Sequence, residues 1–136
     1  MNPKDRIYLK ILIGISFLAL ALHLLILLKI IPYELTWGGK LKNDSEMYVF
    51  EFFSITVNSF LLYVLLQKGN FVKRVFGPKT LTVILWVFFG IFVLNTFGNL
   101  FAETTFEKSF SIVTLINAVL IWKINRSNSG LQNLQA

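Results

Sequence analysis

The side chains in this sequence that could do chemistry are polar residues set within long apolar stretches. Glu51 is followed by Ser54 and Asn58 at spacings of three and four, so the three side chains share one face of a helix. The single histidine, His23, lies in another apolar stretch. A carboxylate and an imidazole can exchange protons in acid–base catalysis, or can bind the polar group of a ligand.

Two more polar faces occur in the second half of the chain. One carries Asn95, Asn99 and Glu103, and the other carries Ser111, Thr114 and Asn117. The candidate binding residues are therefore His23, Glu51, Asn58, Asn95, Asn99 and Asn117. The alternative for each is a structural role, because such side chains often form hydrogen bonds between membrane helices, worth about 0.6 kcal/mol each. For Glu51 a further alternative is direct access to water at the membrane interface.

Four apolar segments must position these residues, at about 8–31, 47–66, 81–102 and 106–123. About 20 apolar residues are needed for a helix to cross the ~30 Å of bilayer hydrocarbon. The chain is 55% hydrophobic and only 15% charged, with a mean hydropathy of +0.67, whereas soluble domains carry about a quarter charged residues. The sequence thus predicts a single all-α domain, a bundle of four transmembrane helices, followed by a polar tail at 125–136.

Local signals mark the predicted helix ends. Pro32 ends the first helix, and Gly77-Pro78 precedes the third. Asn43 with Glu46 fits a capping box at the start of the second helix, as does a Thr104–Glu107 pair before the fourth. The Trp37-Gly38-Gly39 sequence predicts a turn in the longest polar loop, with a lid over the outer face as the alternative.

The basic residues indicate how the helices are oriented. Nine of the thirteen lie on one side of a four-helix arrangement: Lys4, Arg6, Lys10, Lys68, Lys73, Arg74, Lys79, Lys123 and Arg126. Six of the seven acids lie on the other side: Glu34, Asp44, Glu46, Glu51, Glu103 and Glu107. Because loops rich in Lys and Arg stay in the cytoplasm, both termini should be cytoplasmic in a plasma or inner membrane. These charges flank apolar runs, so the net charge of +6 does not indicate a nucleic-acid partner.

The polar residues should cluster by depth in the outer half of the bundle. At ~1.5 Å per residue, Glu51 and Asn99 lie roughly 5 Å below the outer boundary. His23 and Asn95 lie roughly 10 to 12 Å below it, and Asn58 and Asn117 come near the midplane. The inner half is mostly Leu, Ile, Val and Phe. This asymmetry predicts a pocket that opens to the outside or to the outer leaflet.

The sequence lacks the residues that several kinds of functional site require. The chain has no cysteine and one histidine, which excludes disulfides, thiolate sites and paired-histidine haem or zinc sites. It contains neither a phosphate-binding loop nor a dinucleotide fingerprint. We therefore expect no metal and no cofactor, and a non-enzymatic role is favoured over an enzymatic one.

Three short stretches resemble a loose group of small bacterial four-helix membrane proteins with a DoxX-like architecture. They are Ile31-Pro32, the loop Trp37-Gly38-Gly39-Lys40-Leu41, and the run Asn95-Thr96-Phe97-Gly98-Asn99-Leu100. The resemblance implies a four-helix membrane fold and no assigned activity. The chain is more weakly similar to sterol-isomerase-like membrane proteins, which hold apolar ligands between helices with intramembrane carboxylates. Glu51 is a residue of that type, although the paired acids of that group are not evident here.

Three functions fit the sequence. The first is a membrane protein that binds a lipid, a small apolar ligand or a partner protein in the outer half of the bundle. The second is a small transporter or channel built as a homo-oligomer, because four helices alone rarely enclose a polar path. The third is a membrane-embedded isomerase-like enzyme that uses Glu51 and His23.

Overall fold

The computed structural model describes residues 1–37 and 40–133, with side chains described as far as residue 127. Four helices make up most of the chain: α1 Pro3–Leu27, α2 Asp44–Lys68, α3 Pro78–Leu100 and α4 Thr105–Asn133. A short 3-10 helix, Tyr33–Leu35, lies between α1 and α2. The prediction of an all-helical protein is confirmed, and all four helices are long and apolar enough to cross a membrane. Gly38 and Gly39 of the predicted turn, and the last three residues of the predicted tail, lie outside the described residues.

The start of each predicted capping box is confirmed by a hydrogen bond. The side chain of Asn43 accepts from the backbone N–H of Glu46 at 2.9 Å, and Glu46 accepts in turn from the N–H of Lys42. At the start of α4, Thr104 accepts from the N–H of Glu107 at 3.2 Å. Each bond satisfies a donor that the first turn of a helix would otherwise leave free.

The ends of α1 and α4 differ from the predicted ones for local reasons. Asn2 caps the N–H of Asp5 at 2.8 Å, so α1 includes a polar first turn that hydropathy excludes. The chain then leaves α1 through Lys29, whose φ of 58° is in the left-handed region that ends many helices. At the other end of the chain, α4 continues to Asn133, past the predicted end near Lys123.

The helices pack as two hairpins, α1 with α2 and α3 with α4, and the hairpins contact each other less extensively. The buried core contains residues such as Leu12, Leu61, Leu85 and Ile121. At the other apolar positions the side chains point outward, as those of Phe52, Leu94 and Phe101 do. Between 22% and 33% of each candidate span is buried within the protein, so most of the apolar surface is available to lipid.

Buried polar groups fasten the end of the bundle that holds the chain termini. The side-chain carbonyl of Gln67 accepts from the backbone N–H groups of Val75 and Phe76, at 2.7 and 3.0 Å, and so fixes the α2–α3 connector. Next to it, α1 packs closely against the end of α2. A Cβ added at Gly69 would lie only 2.8 Å from a methyl group of Leu9. The sequence did not predict these contacts, since this half was expected to be almost purely apolar.

Candidate functional site

A carboxylate without any exposed surface lies in the half of the bundle away from the chain termini. Glu51 is carried by α2 and is wholly buried. Its Oε2 lies 2.7 Å from Nδ1 of His23, which is carried by α1 and is 20% exposed. With Glu51 in its ionised form the carboxylate accepts this hydrogen bond and His23 donates it through Nδ1. The structure therefore brings together the two residues that the sequence singled out for acid–base or binding chemistry.

The second oxygen of Glu51 is bound by a residue from the α1–α2 loop. The indole Nε1 of Trp37 donates to Oε1 at 2.9 Å, and the indole ring lies 4.8 Å from the ring of Phe50. Trp37 has a φ of 56°, a conformation that costs a bulky L residue about 1–3 kcal/mol. This strained backbone places the indole over the carboxylate. We call Glu51, His23 and Trp37 the Glu51 centre.

The Glu51 centre ties α1, α2 and the loop between them together through a buried carboxyl group. Removing a carboxylate from water costs several kcal/mol, which hydrogen bonds to the charged group repay in part. Here both oxygens have a donor, one from α1 and one from the loop. Apolar residues of similar size would hold α1 against α2 without the desolvation cost, so Glu51 is a candidate functional residue.

Further contacts hold the loops around the Glu51 centre. Thr104, in the α3–α4 loop, donates to the backbone carbonyl of Leu35 at 3.1 Å and so joins this loop to the α1–α2 loop. Lys29 pairs with Asp44 and thereby joins the end of α1 to the start of α2. The hydrogen bond that Lys29 donates to Asp44 raises the pKa of Lys29 above its usual value. Because Lys29 is exposed, this ion pair orders the loop and contributes little stability.

The four predicted asparagines do not join the Glu51 centre. Asn58 donates to the carbonyl of Ser54 in its own helix at 2.9 Å. Asn95 is exposed, Asn99 is half-buried, and Asn117 is buried with no hydrogen-bond partner for its Oδ1. Among the described side chains, no hydrogen bond links these asparagines to His23 or Glu51. They remain predicted binding residues without a shared site.

One polar contact between helices had only one of its members noted in the sequence. The hydroxyl oxygens of Thr96 on α3 and Thr114 on α4 lie 2.9 Å apart. Each hydroxyl also lies within hydrogen-bonding distance of a backbone carbonyl of its own helix, so one can donate to the other while the second donates to its own helix. Thr114 lies on a polar face predicted from the sequence, whereas Thr96, although it follows Asn95 directly, is not assigned to one. This pair provides a structural counterpart to the Glu51 centre in the other hairpin.

Trp37 is the member of the Glu51 centre that the sequence does not predict. Its sequence predicts a turn, with a lid as the alternative, and gives no sign of a bond to Glu51. The turn signal was visible, but the contact depends on a loop conformation that has no sequence periodicity. The Glu51 centre offers two potential metal ligands, and within 1–37 and 40–133 no group of three His, Asp or Glu side chains comes together.

Comparison with known proteins identifies no relative of this chain. No protein-family model matches the chain, and neither a curated protein nor a solved structure matches it. Its function is therefore inferred from the chemistry of the Glu51 centre.

Proposed function

We propose that this chain is a multi-pass protein of the cell membrane with both termini in the cytoplasm. Four helices that can each span the bilayer return the chain to the side on which it started. Nine of the thirteen basic residues then lie on the side of the termini and the α2–α3 connector, as the positive-inside rule requires. The Glu51 centre accordingly belongs to the outer half of the membrane.

We propose further that the Glu51 centre binds a lipid or another small apolar molecule that carries a hydrogen-bond donor. The observation behind this is the bond from the Trp37 indole to Oε1 of Glu51 at 2.9 Å. A hydroxyl or amine of a ligand can make the same bond. Trp37 comes from a loop and is 36% exposed, so its side chain can leave without disturbing a helix.

The exchange of indole for ligand is close to balanced in energy. One hydrogen bond to Oε1 replaces another, and release of Trp37 relieves a backbone strain of about 1–3 kcal/mol. His23 stays on Oε2 and keeps the carboxylate oriented. The ligand's apolar part then extends along exposed aromatic side chains near the Glu51 centre, such as Phe50, whose ring packs against Trp37.

A second candidate is acid–base catalysis by the same residues. The 2.7 Å contact between His23 and Glu51 is within the reach that proton transfer needs. An isomerase of an apolar substrate would use the carboxylate as the base and the imidazole as its positioning partner. Loss of turnover in Glu51→Gln with substrate still bound would distinguish catalysis from simple binding.

The binding proposal predicts that Trp37→Phe retains more ligand than the unaltered protein. Phenylalanine keeps an aromatic ring against Phe50 but cannot donate to Oε1, so the ligand no longer competes with the indole. Loss of one competing hydrogen bond, about 1 kcal/mol, corresponds to about a fivefold higher occupancy. Native mass spectrometry after release from mild detergent measures the bound mass and the oligomeric state together.

The matched control is Trp86→Phe, which also removes an indole that packs against a phenylalanine, at 5.3 Å in that case. Its ligand occupancy should equal that of the unaltered protein. Absence of any defined small-molecule mass from both the unaltered protein and Trp37→Phe would contradict the binding proposal. A ligand-free ring of several subunits would instead favour the oligomeric transporter.

The orientation predicts which of two introduced cysteines is accessible from outside. The chain has no cysteine, so Lys40→Cys in the α1–α2 loop and Lys73→Cys in the connector each provide a single reactive thiol. In intact cells, a membrane-impermeant maleimide should label Lys40→Cys only. Lys73→Cys should react after the membrane is permeabilised, and the reverse pattern would contradict the orientation.

A further inference from the structure

A groove runs along the seam between the two hairpins, in the half of the bundle that holds the termini. It has a volume of about 400 Å³ and no polar atom is exposed on its walls. Val57 and Phe60 of α2 form one wall, and Ile84, Val87 and Ile91 of α3 form the other. The groove exists because α2 and α3 pack against each other less closely than the helices within each hairpin.

The groove lies within the depth that an acyl chain of one leaflet reaches. Its lining residues span 56–60 of α2 and 84–91 of α3. From Thr56, at the end of the groove nearer the middle of α2, to Lys68 at the end of α2 is roughly 18 Å along the helix axis. Half of the hydrocarbon thickness is ~15 Å, so an acyl chain whose headgroup lies near Lys68 reaches the groove.

The α2–α3 seam continues from the groove to the end of the bundle that holds the termini, and this end, the inner mouth, is positively charged. The ammonium group of Lys68, which is half-buried, donates to Oγ1 of Thr82 at 3.1 Å and so bridges α2 and α3 at this mouth. An ammonium has three donors, and this bond uses one of them. The exposed side chains of Lys73, Arg74 and Lys79 follow in the connector and the first turn of α3.

No carboxylate on α2, α3 or their connector opposes these charges at the inner end. The sequence contains no Asp or Glu anywhere from 52 to 102. The buried Asp5 of α1 is the acid that acts on Lys68 from a neighbouring helix. Three exposed cations therefore remain for a phosphate group at the membrane surface, where each Lys or Arg contributes about 1 kcal/mol of attraction to an anionic lipid.

We propose that the α2–α3 groove holds an acyl chain of an anionic phospholipid from the cytoplasmic leaflet, with its phosphate bound by Lys68 and the basic connector. The site depends on the proposed insertion and orientation, but it is separate from the Glu51 centre and its ligand. The bound lipid fills the space between the α1–α2 and α3–α4 hairpins, which contact each other less than the two helices within each hairpin do. The occupant is a bilayer lipid, because the groove opens sideways toward hydrocarbon and its mouth lies at headgroup level.

The experiment reconstitutes the full chain into phosphatidylcholine vesicles that contain phosphatidylglycerol as a minor component. After release in mild detergent, native mass spectrometry compares the two phospholipids that remain bound. The unaltered protein should retain phosphatidylglycerol in preference to phosphatidylcholine. Val87→Trp fills the groove and should lower the retained phosphatidylglycerol at least about fivefold, since overfilling a packed site costs 1–3 kcal/mol.

A matched variant one turn earlier controls for the added bulk. Val83 is 62% exposed and Val87 is 58% exposed, both on α3, but Val83 does not line the groove. Val83→Trp should therefore retain phosphatidylglycerol as the unaltered protein does. Because both positions are exposed, both variants should fold, and circular dichroism confirms this before the lipid is measured.

A charge variant tests the headgroup. Lys68→Gln keeps a donor for Thr82 but loses the charge, so the preference for phosphatidylglycerol should fall about fivefold. Lys40→Gln, in the opposite loop, should leave it unchanged. Equal retention by Val87→Trp and the unaltered protein would overturn the proposal, as would equal affinity of the unaltered protein for the two phospholipids. Glu51→Gln should keep the phosphatidylglycerol and lose the ligand of the Glu51 centre. Loss of the same bound mass from Glu51→Gln and from Val87→Trp would contradict the proposal that the two sites are separate.

Discussion

Glu51→Ala is expected to lower the free energy of unfolding by about 2–3 kcal/mol. Removing one member of a buried hydrogen-bonded pair usually costs 3–5 kcal/mol, because the other member stays behind without a partner. Here two donors lose their acceptor, Nδ1 of His23 and Nε1 of Trp37. Both residues are partly exposed, so each can find another acceptor at the interface, and the expected loss is therefore below the usual range.

This loss is larger than the average for a polar contact between membrane helices. Double-mutant cycles give about 0.6 kcal/mol for such hydrogen bonds. That figure measures the net value of a pair, whereas a single truncation also leaves groups unsatisfied and opens a cavity. Glu51 has no exposed surface, so its removal leaves a space that water does not fill from outside.

Unfolding in mixed detergent micelles, followed by circular dichroism, measures this change. Glu34→Ala is the matched control, because Glu34 is an exposed carboxylate in the α1–α2 loop. Its unfolding free energy should stay within about 0.5 kcal/mol of that of the unaltered protein. If Glu51→Ala were equally mild, the Glu51 centre would not hold α1, α2 and their loop together.

The sequence predicts the helices well because their determinants are local. Apolar length sets the four spans, and side chains three residues apart set the starts of α2 and α4. The orientation in the membrane follows from charge alone and stays a prediction, as does the resemblance to DoxX-like proteins. The first turn of α1 was not predicted because it is polar, and only its cap and Pro3 indicate a helix.

The rotation of each helix about its own axis could be predicted only in part from the sequence. A few polar side chains on a mostly apolar helix give a weak signal for the side that contacts lipid. Depth can be counted from residue number, so His23 and Glu51 could both be placed in the outer half. Whether Asn95 points inward or outward could not be predicted, and in the structure it is exposed.

The pairing of His23 with Glu51 could be predicted in part from the sequence. Adjacent antiparallel helices bring residues of similar depth near each other, and His23 and Glu51 both lie inside predicted apolar segments. Their 2.7 Å contact still requires the two helices to be rotated toward each other. The contribution of Trp37 required the loop as well, which is why only the structure reveals it.

Replacing both members of the pair, in His23→Leu/Glu51→Leu, should separate binding from folding. When a buried ion pair is exchanged as a whole for apolar residues of similar volume, stability is usually kept or increased. We expect an unfolding free energy within about 1 kcal/mol of that of the unaltered protein, above that of Glu51→Ala. Ligand occupancy should nevertheless fall by about tenfold or more, because a hydrogen bond to a charged acceptor, worth about 1.5–3 kcal/mol, is gone.

The matched double variant is Thr96→Val/Thr114→Val, which removes a polar pair between α3 and α4 whose oxygens lie 2.9 Å apart. It should keep both stability and ligand, because no part of the Glu51 centre is changed. Native mass spectrometry and unfolding on the same preparations test both quantities. A stable His23→Leu/Glu51→Leu protein that still carries the ligand would show that the carboxylate serves the fold alone. A stable protein without ligand would show that it is kept for binding, because an apolar pair would then fold the chain equally well.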